Sequence, residues 1–168
     1  GIASTPISSR TLKENPLYYE EIMIYTHDKH PLSTQKTISS KDLAKENIWL
    51  LSQGHCFRSQ ALNVCELKEN SNHAPFEYES ASIETLIKMV DKEGGITLIP
   101  ELAINDLSND KQKRVKSIGG LKPVREISII TNRLFVKDKA LSAMKACILE
   151  QLPDEIKNQD RGNRVDWN

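Results

Sequence analysis

Apolar positions along the chain follow two rhythms. Short runs rich in β-branched and aromatic residues read as strands: Ile22-Met23-Ile24-Tyr25 after Glu20-Glu21, Ile48 to Leu51, Ile96 to Ile99, Val115 to Ile118, and Glu126 to Thr131. The run Ile48-Trp49-Leu50-Leu51 does not alternate, as expected of a strand covered on both faces in a parallel sheet. Between these runs the spacing turns helical. Phe57, Ala61, Val64 and Cys65 make one stripe and predict a helix from Cys56 to about Lys68. Ile83, Leu86, Ile87 and Val90 make a second, capped by Ser82 and stopped at Gly94-Gly95. Leu141, Met144, Ile148 and Leu152 make a third, in a helix that starts at Asp138 and ends before Pro153. Ser39 or Ser40 caps a short helix through Asp42 to Ala44, and Glu101 to Asp110 holds one helical turn or two. A polar loop over Glu69 to His73 and a short strand at Phe76-Glu77-Tyr78 complete the pattern, and the polar tail from Asp154 is expected to fray. Strands alternating with helices predict an α/β fold with a largely parallel or mixed sheet.

Composition narrows the class. With 38% apolar and 27% charged residues the chain is a folded globular protein, and its 168 residues suffice for one sizeable domain or two small lobes. Basic and acidic side chains balance at 23 each, so no basic field is available to hold a nucleic-acid backbone. No apolar run approaches the roughly eighteen residues of a membrane span, and no signal-peptide pattern opens the chain. Three cysteines, an odd number, argue against a secreted disulfide scaffold and place the chain in a reducing cytoplasm. The start Gly1-Ile2-Ala3-Ser4 lacks an initiating Met, as expected of a segment from a larger protein.

Candidate chemistry concentrates in Gly54-His55-Cys56-Phe57-Arg58-Ser59-Gln60 and, nine residues beyond Cys56, Cys65. Cys56 follows a glycine turn at a predicted helix N-terminus, where free backbone N–H groups and the helix dipole favour an anion. His55 precedes it and Arg58 lies one turn on. All of these favour the thiolate, which is the reactive form. On local chemistry alone, an inert buried cysteine fits Cys56 as well as a reactive one. It fits Cys65, on the apolar stripe, better, and Cys147 is expected in the core. Geometry links the first two. On one helix they stand roughly 13–14 Å apart along the axis, whereas a disulfide needs Cα atoms within about 7 Å. Bonding therefore requires the helix to melt. Closing a loop of about ten residues stabilises by only roughly 2.5–3 kcal/mol. Extracting two or three buried apolar side chains costs about as much or more. Oxidation of the sulfur to a sulfenic acid, which then condenses with a second thiol, supplies the rest.

The Gly54 to Arg58 segment followed by Gln60 and Cys65 resembles the sensing segment of the OxyR group, the peroxide sensors among the LysR-type regulators. His30-Pro31-Leu32 after a strand, Lys41-Asp42-Leu43 opening a helix, Trp49-Leu50-Leu51, Ser82 to Leu86 and Gly95 to Pro100 resemble the wider LysR-type effector domain. This likeness implies a periplasmic-binding-protein-like fold of two α/β lobes. Residues 1–16 would be the edge of an incomplete first lobe and residues 17–132 the complete second lobe with the redox cysteines. Residues 133–168 would be a helix returning to the first lobe plus a polar tail. It also implies that Cys56 attacks hydrogen peroxide and Cys65 resolves the product, while His55, Arg58 and Arg125 stabilise the thiolate. Ser59 stands where relatives carry Asp; a hydroxyl can hydrogen-bond peroxide but relays protons poorly. No cofactor or metal is implied. The implied partners are a second and further copies of the chain (dimer or tetramer), promoter DNA through a helix-turn-helix outside this chain, RNA polymerase, and thioredoxin- or glutaredoxin-type reductants.

Three other readings use the same residues. A LysR-type domain that binds a small organic effector would be indifferent to loss of the cysteines. A thiol peroxidase also needs a reactive and a resolving cysteine, but the sequence has no Cys-x-x-Cys and no thioredoxin-like pattern. A zinc site from His55, Cys56, Cys65 and His73 matches no compact zinc spacing. His27 and His30 read as loop residues beside Pro31, and Lys111 to Arg114 as a solvated connection offset by Asp106 and Asp110.

Overall fold

The computed structural model describes residues 1–7, 9–65, 80, 82–120 and 122–166. Strands β1 (Ile2–Thr5) and β2 (Leu12–Thr26) open the chain. A 3-10 turn (Pro31–Thr34), β3 (Thr37–Ser39), the one-turn α1 (Ser40–Leu43), β4 (Ile48–Trp49) and α2 (Cys56–Val64) follow. The second half runs α3 (Ile83–Glu93), β5 (Ile96–Pro100), a 3-10 segment (Glu101–Asp106), α4 (Asn109–Gln112), β6 (Val115–Gly119) and β7 (Pro123–Asn132). It closes with α5 (Asp138–Glu150), α6 (Asp154–Lys157) and β8 (Asn163–Arg164).

The long β2 is the spine of a mixed sheet ordered β1-β7-β2-β5-β4, with β6 also on β2, β3 on β6 and β8 on β7. Its first part pairs antiparallel with β7, from Leu12↔Asn132 to Glu21↔Val124. Its last part pairs with β5, from Ile22↔Pro100 to Thr26↔Ile96, and with β6. The register shifts between Pro16 and Tyr18, where proline has no N–H to give to the ladder. The β3–β6 and β4–β5 pairs are parallel, the latter as the unbroken apolar run at 48–51 predicts. That strand is shorter than expected, since Leu51 only bridges to Ser80.

Alternation along the strands sorts the core. Ile22, Ile24, Ile96 and Leu98 pack with Phe57, Ala61, Val64, Cys65 and Leu86, while Tyr25 and Ile99 pack with Ile87 and Val90. The predicted α3 forms as expected, and Gly94 sits beyond its end at a positive φ of 84°.

Two expectations need correction, and three others fall outside the described residues. Cys147 is exposed, because α5 has no buried residue and its Met144 is 43% exposed. Its stripe marks a face that the described residues leave largely uncovered. The tail does not fray either: Ile156 of α6 is 2% exposed and β8 adds to the sheet. Two isolated apolar residues, Ile156 and Val165, give no period, and backbone pairing leaves no trace in composition. The Glu69–His73 loop, the Phe76–Tyr78 strand and the extension of α2 to residue 68 lie outside the described residues.

Candidate functional site

The cysteine helix is set by the turn before it. Ser52 receives a double anchor at Ser80, whose carbonyl accepts from the Ser52 N–H (2.9 Å) and Oγ (3.1 Å). Gly54 then adopts φ +87°, a conformation that suits glycine and reverses the chain. His55 is the exposed N-cap, in extended backbone with no side-chain cap bond, and Cys56 is the first residue of α2. Cys56 is a free, half-buried thiol at the positive end of the helix dipole. Cys65 caps the other end, free and fully buried, and burial pushes its thiol up to about 12. The two stand at opposite ends of one intact helix, too far apart to bond.

Arg58 and Ser59 share the first turns of α2. Arg58 donates from Nη1 to the Leu51 carbonyl at 2.8 Å, and its buried Nε has no partner. Arg125 comes from β7. Its guanidinium lies 4.9 Å over the ring of Phe57, the residue after Cys56. Its Nε and Nη2 both donate to Oε1 of Glu20, at 2.8 and 2.6 Å. Glu20 is Arg125's cross-strand neighbour, is 1% exposed, and accepts a further bond from the Leu102 N–H at 3.3 Å. The fold thus brings Arg125 to the base of the cysteine turn through Phe57 and neutralises it with a buried carboxylate. Sequence reasoning did not assign Glu20; a charged pair at the head of an otherwise apolar strand was the available signal.

The middle of α2 is equally tied. Gln60 is fully buried, and its Nε2 donates to Ser4 Oγ (3.0 Å) and to the Val165 carbonyl (3.2 Å). Asn63 Nδ2 donates to the Asp166 carbonyl at 2.7 Å. Near them the buried Glu126 accepts from Thr5 Oγ1 and Ser128 Oγ and pairs with Arg164 at 2.9 Å. His30 caps the Pro31 turn through Nδ1 and pairs with Glu46, and Lys111 and Arg114 pair with Asp91. Among the described residues no three His, Cys, Asp or Glu side chains cluster to hold a metal ion, and His73 lies outside them. Among the same residues no helix is long and apolar enough to cross a membrane.

The described residues form a mixed α/β unit with two free thiols at the ends of one helix. The chain belongs to the LysR substrate binding domain family, which it matches over residues 1–153. Among curated relatives it is 31% identical over 134 residues to the hydrogen peroxide-inducible genes activator of Haemophilus influenzae, covering 77% of this chain and 42% of that protein. It is 32% identical over 136 residues to the HTH-type transcriptional regulator EstR of Acinetobacter baylyi, covering 79% and 43%. The crystal structure of OxyR from Porphyromonas gingivalis superposes with a TM-score of 0.85 at 26% identity, covering 98% of this chain and 74% of that one. The fold is therefore that of a LysR-type effector domain, and the chain spans about two fifths of the length of these curated relatives.

Proposed function

We propose that this chain is the sensing part of a LysR-type transcription regulator that reads hydrogen peroxide through Cys56 and Cys65. The observation that carries the reading is the placement of two free thiols at opposite ends of α2, one half-buried at the N-terminus and one sealed in the core. The Cys56 thiolate attacks a peroxide oxygen and displaces hydroxide, leaving a sulfenic acid. Cys65 then attacks that sulfur, forming the disulfide and releasing water; two thiols and one peroxide become one disulfide and two waters. While α2 is intact Cys65 is a protonated thiol in the core, unable to resolve anything. The second step therefore waits for α2 to open, which couples chemistry to conformation.

The other roles belong to residues around Cys56. His55, exposed and next to Cys56 in the chain, Arg58 on the first turn of α2, and Arg125, held by Glu20 over the Phe57 ring, would stabilise the thiolate. Ser59, one turn on, offers a hydroxyl to peroxide or water. Residues 17–132 form the sensing lobe, residues 1–16 the edge of the first lobe, and residues 133–168 a helix that returns to the first lobe plus the tail. The uncovered face of α5 fits that assignment. The whole regulator acts in the cytoplasm on promoter DNA through a separate domain. It works as a dimer or tetramer, engages RNA polymerase, and is reset by thioredoxin- or glutaredoxin-type reductants; it turns over no substrate.

Non-reducing peptide mapping after one equivalent of peroxide tests this. A Cys56–Cys65 disulfide formed within seconds, and absent in Cys56→Ser, is the expected result. Thiols that stay reduced under excess peroxide would refute it. The match to the LysR substrate binding domain family favours a second reading, a domain that answers a small organic effector. Thermal stabilisation by such a compound, unchanged in Cys56→Ser, would support that instead.

A further inference from the structure

The last residues of the chain are tied to the part of the fold that must move. β8 runs parallel to the start of β7, with Asn163 N donating to the Lys122 carbonyl (3.1 Å) and Val165 N to the Val124 carbonyl (2.8 Å). Arg161 adds a bidentate pair to Glu101 at 2.8 and 3.0 Å and donates to the Tyr19 carbonyl. The approach is close enough to need glycine at 162. A Cβ there would run into the Lys122 carbonyl oxygen and lie 2.8 Å from Val124 Cγ1. On its other side the strand is held by α2 itself, through Gln60 on the Val165 carbonyl and Asn63 on the Asp166 carbonyl, with Val165 packed against the core that contains Phe57 and Cys65. Gln60 also holds Ser4 of β1, so one buried amide joins the sensor helix to both ends of the chain.

We infer that residues 159–166 form a redox-gated latch, held by Gln60 and Asn63 while α2 is intact and released when the cysteines bond. The inference rests on the peroxide-sensing reading above. Cys56 and Cys65 bracket Gln60 and Asn63, so the helix that must open to bring the sulfurs together is the one that presents both amides to the strand. Peroxide is the oxidant, and its two electrons come from the two thiols. Once the amides leave, the β7 pairing, the Arg161 bonds to Glu101 and to the Tyr19 carbonyl and the Arg164–Glu126 ion pair are among the ties that still hold β8. Release would uncover the edge of β7 at Val124 and the apolar seat of Val165. The redox state of two sulfurs would thereby become a change in exposed backbone.

Hydrogen exchange read by mass spectrometry, on peptides covering 159–166, tests this on the full chain. With the disulfide verified by mapping, exchange there should rise at least about tenfold over the reduced chain. Cys65→Ser treated with peroxide should stay protected. In the reduced state Gln60→Leu and, should that variant not fold, the exposed Asn63→Ala should each accelerate exchange of 163–166 without any oxidation. Unchanged exchange in a chain whose disulfide has formed would overturn the latch and leave the sensor reading standing. If no disulfide forms, the sensor reading fails and the redox gate falls with it. Unchanged exchange in both amide variants would overturn the holding role of α2 independently of peroxide.

Discussion

Cys56 and Cys65 carry the same side chain on the same helix, and what separates them is burial. A sealed thiol pushed up to about 12 is almost wholly protonated near neutrality, while Cys56 meets solvent and the exposed Cys147 meets more. A short pulse of iodoacetamide on the native chain should modify Cys147 and Cys56 and leave Cys65 at least about tenfold slower; mass mapping of the three peptides reads it. The same burial fixes a pH trend. The unfolded chain's Cys65 ionises near pH 8.5, so the stability owed to its buried protonated form is intact below that value and lost as pH rises toward 12. Tyr25, raised by burial and by its bond to Asp91, adds in the same direction at still higher pH. Urea midpoints should therefore fall from pH 7 to pH 10, and fall less steeply in Cys65→Ala. The neighbours of Cys56 in sequence, His55 and Arg58, were legible because a helix turn puts them close. The Glu20–Arg125 pair, 105 residues apart, was not, since only strand register makes them adjacent.

Elements differ in how much of their apolar stripe is used. α3 and α5 both show a helical period, yet Leu86 of α3 is 1% exposed and Met144 of α5 is 43% exposed. Leu86→Ala should cost about 2–5 kcal/mol in a denaturant titration, and Met144→Ala within about 0.5 kcal/mol. A stripe in sequence announces that a helix has an apolar face; it does not say whether the partner lies in the same chain. The apolar period and the glycine stop made α3 readable, although Ser82 at its N-cap gives it no side-chain cap bond. β8 was illegible for the opposite reason: two polar residues whose place is set by a backbone ladder, by Gly162 and by two amides on another helix. Gly162→Ala should detach that strand in the reduced state, raising the exchange of the Asn163 and Val165 amides while the far-ultraviolet circular dichroism stays unchanged.

At the scale of the whole molecule, long-range ties hold the sheet to its covering helices. Asp91 of α3 accepts from Tyr25 of β2 at 2.6 Å and pairs with Lys111 and Arg114 before β6. Burial works against this carboxylate, but the bonds from Lys111 and Tyr25 and the two positive charges outweigh it and hold its pKa below the usual range. The stability it lends is full above about pH 4 and lost as pH falls through the depressed value. Asp91→Asn should lower the urea midpoint at pH 7 and leave a smaller difference from the parent chain at pH 2–3. The alternation of strands and helices made the α/β class legible, whereas the order of the strands was not, because β7 reaches back to both β1 and β2. That topology seats both termini on a single strand: Ile2 lies opposite Ile129 and Arg164 opposite Val124, roughly 17 Å apart along β7. A donor and an acceptor fluorophore fused at the two ends would start within energy-transfer range, so the chain is already laid out as a ratiometric optical reporter.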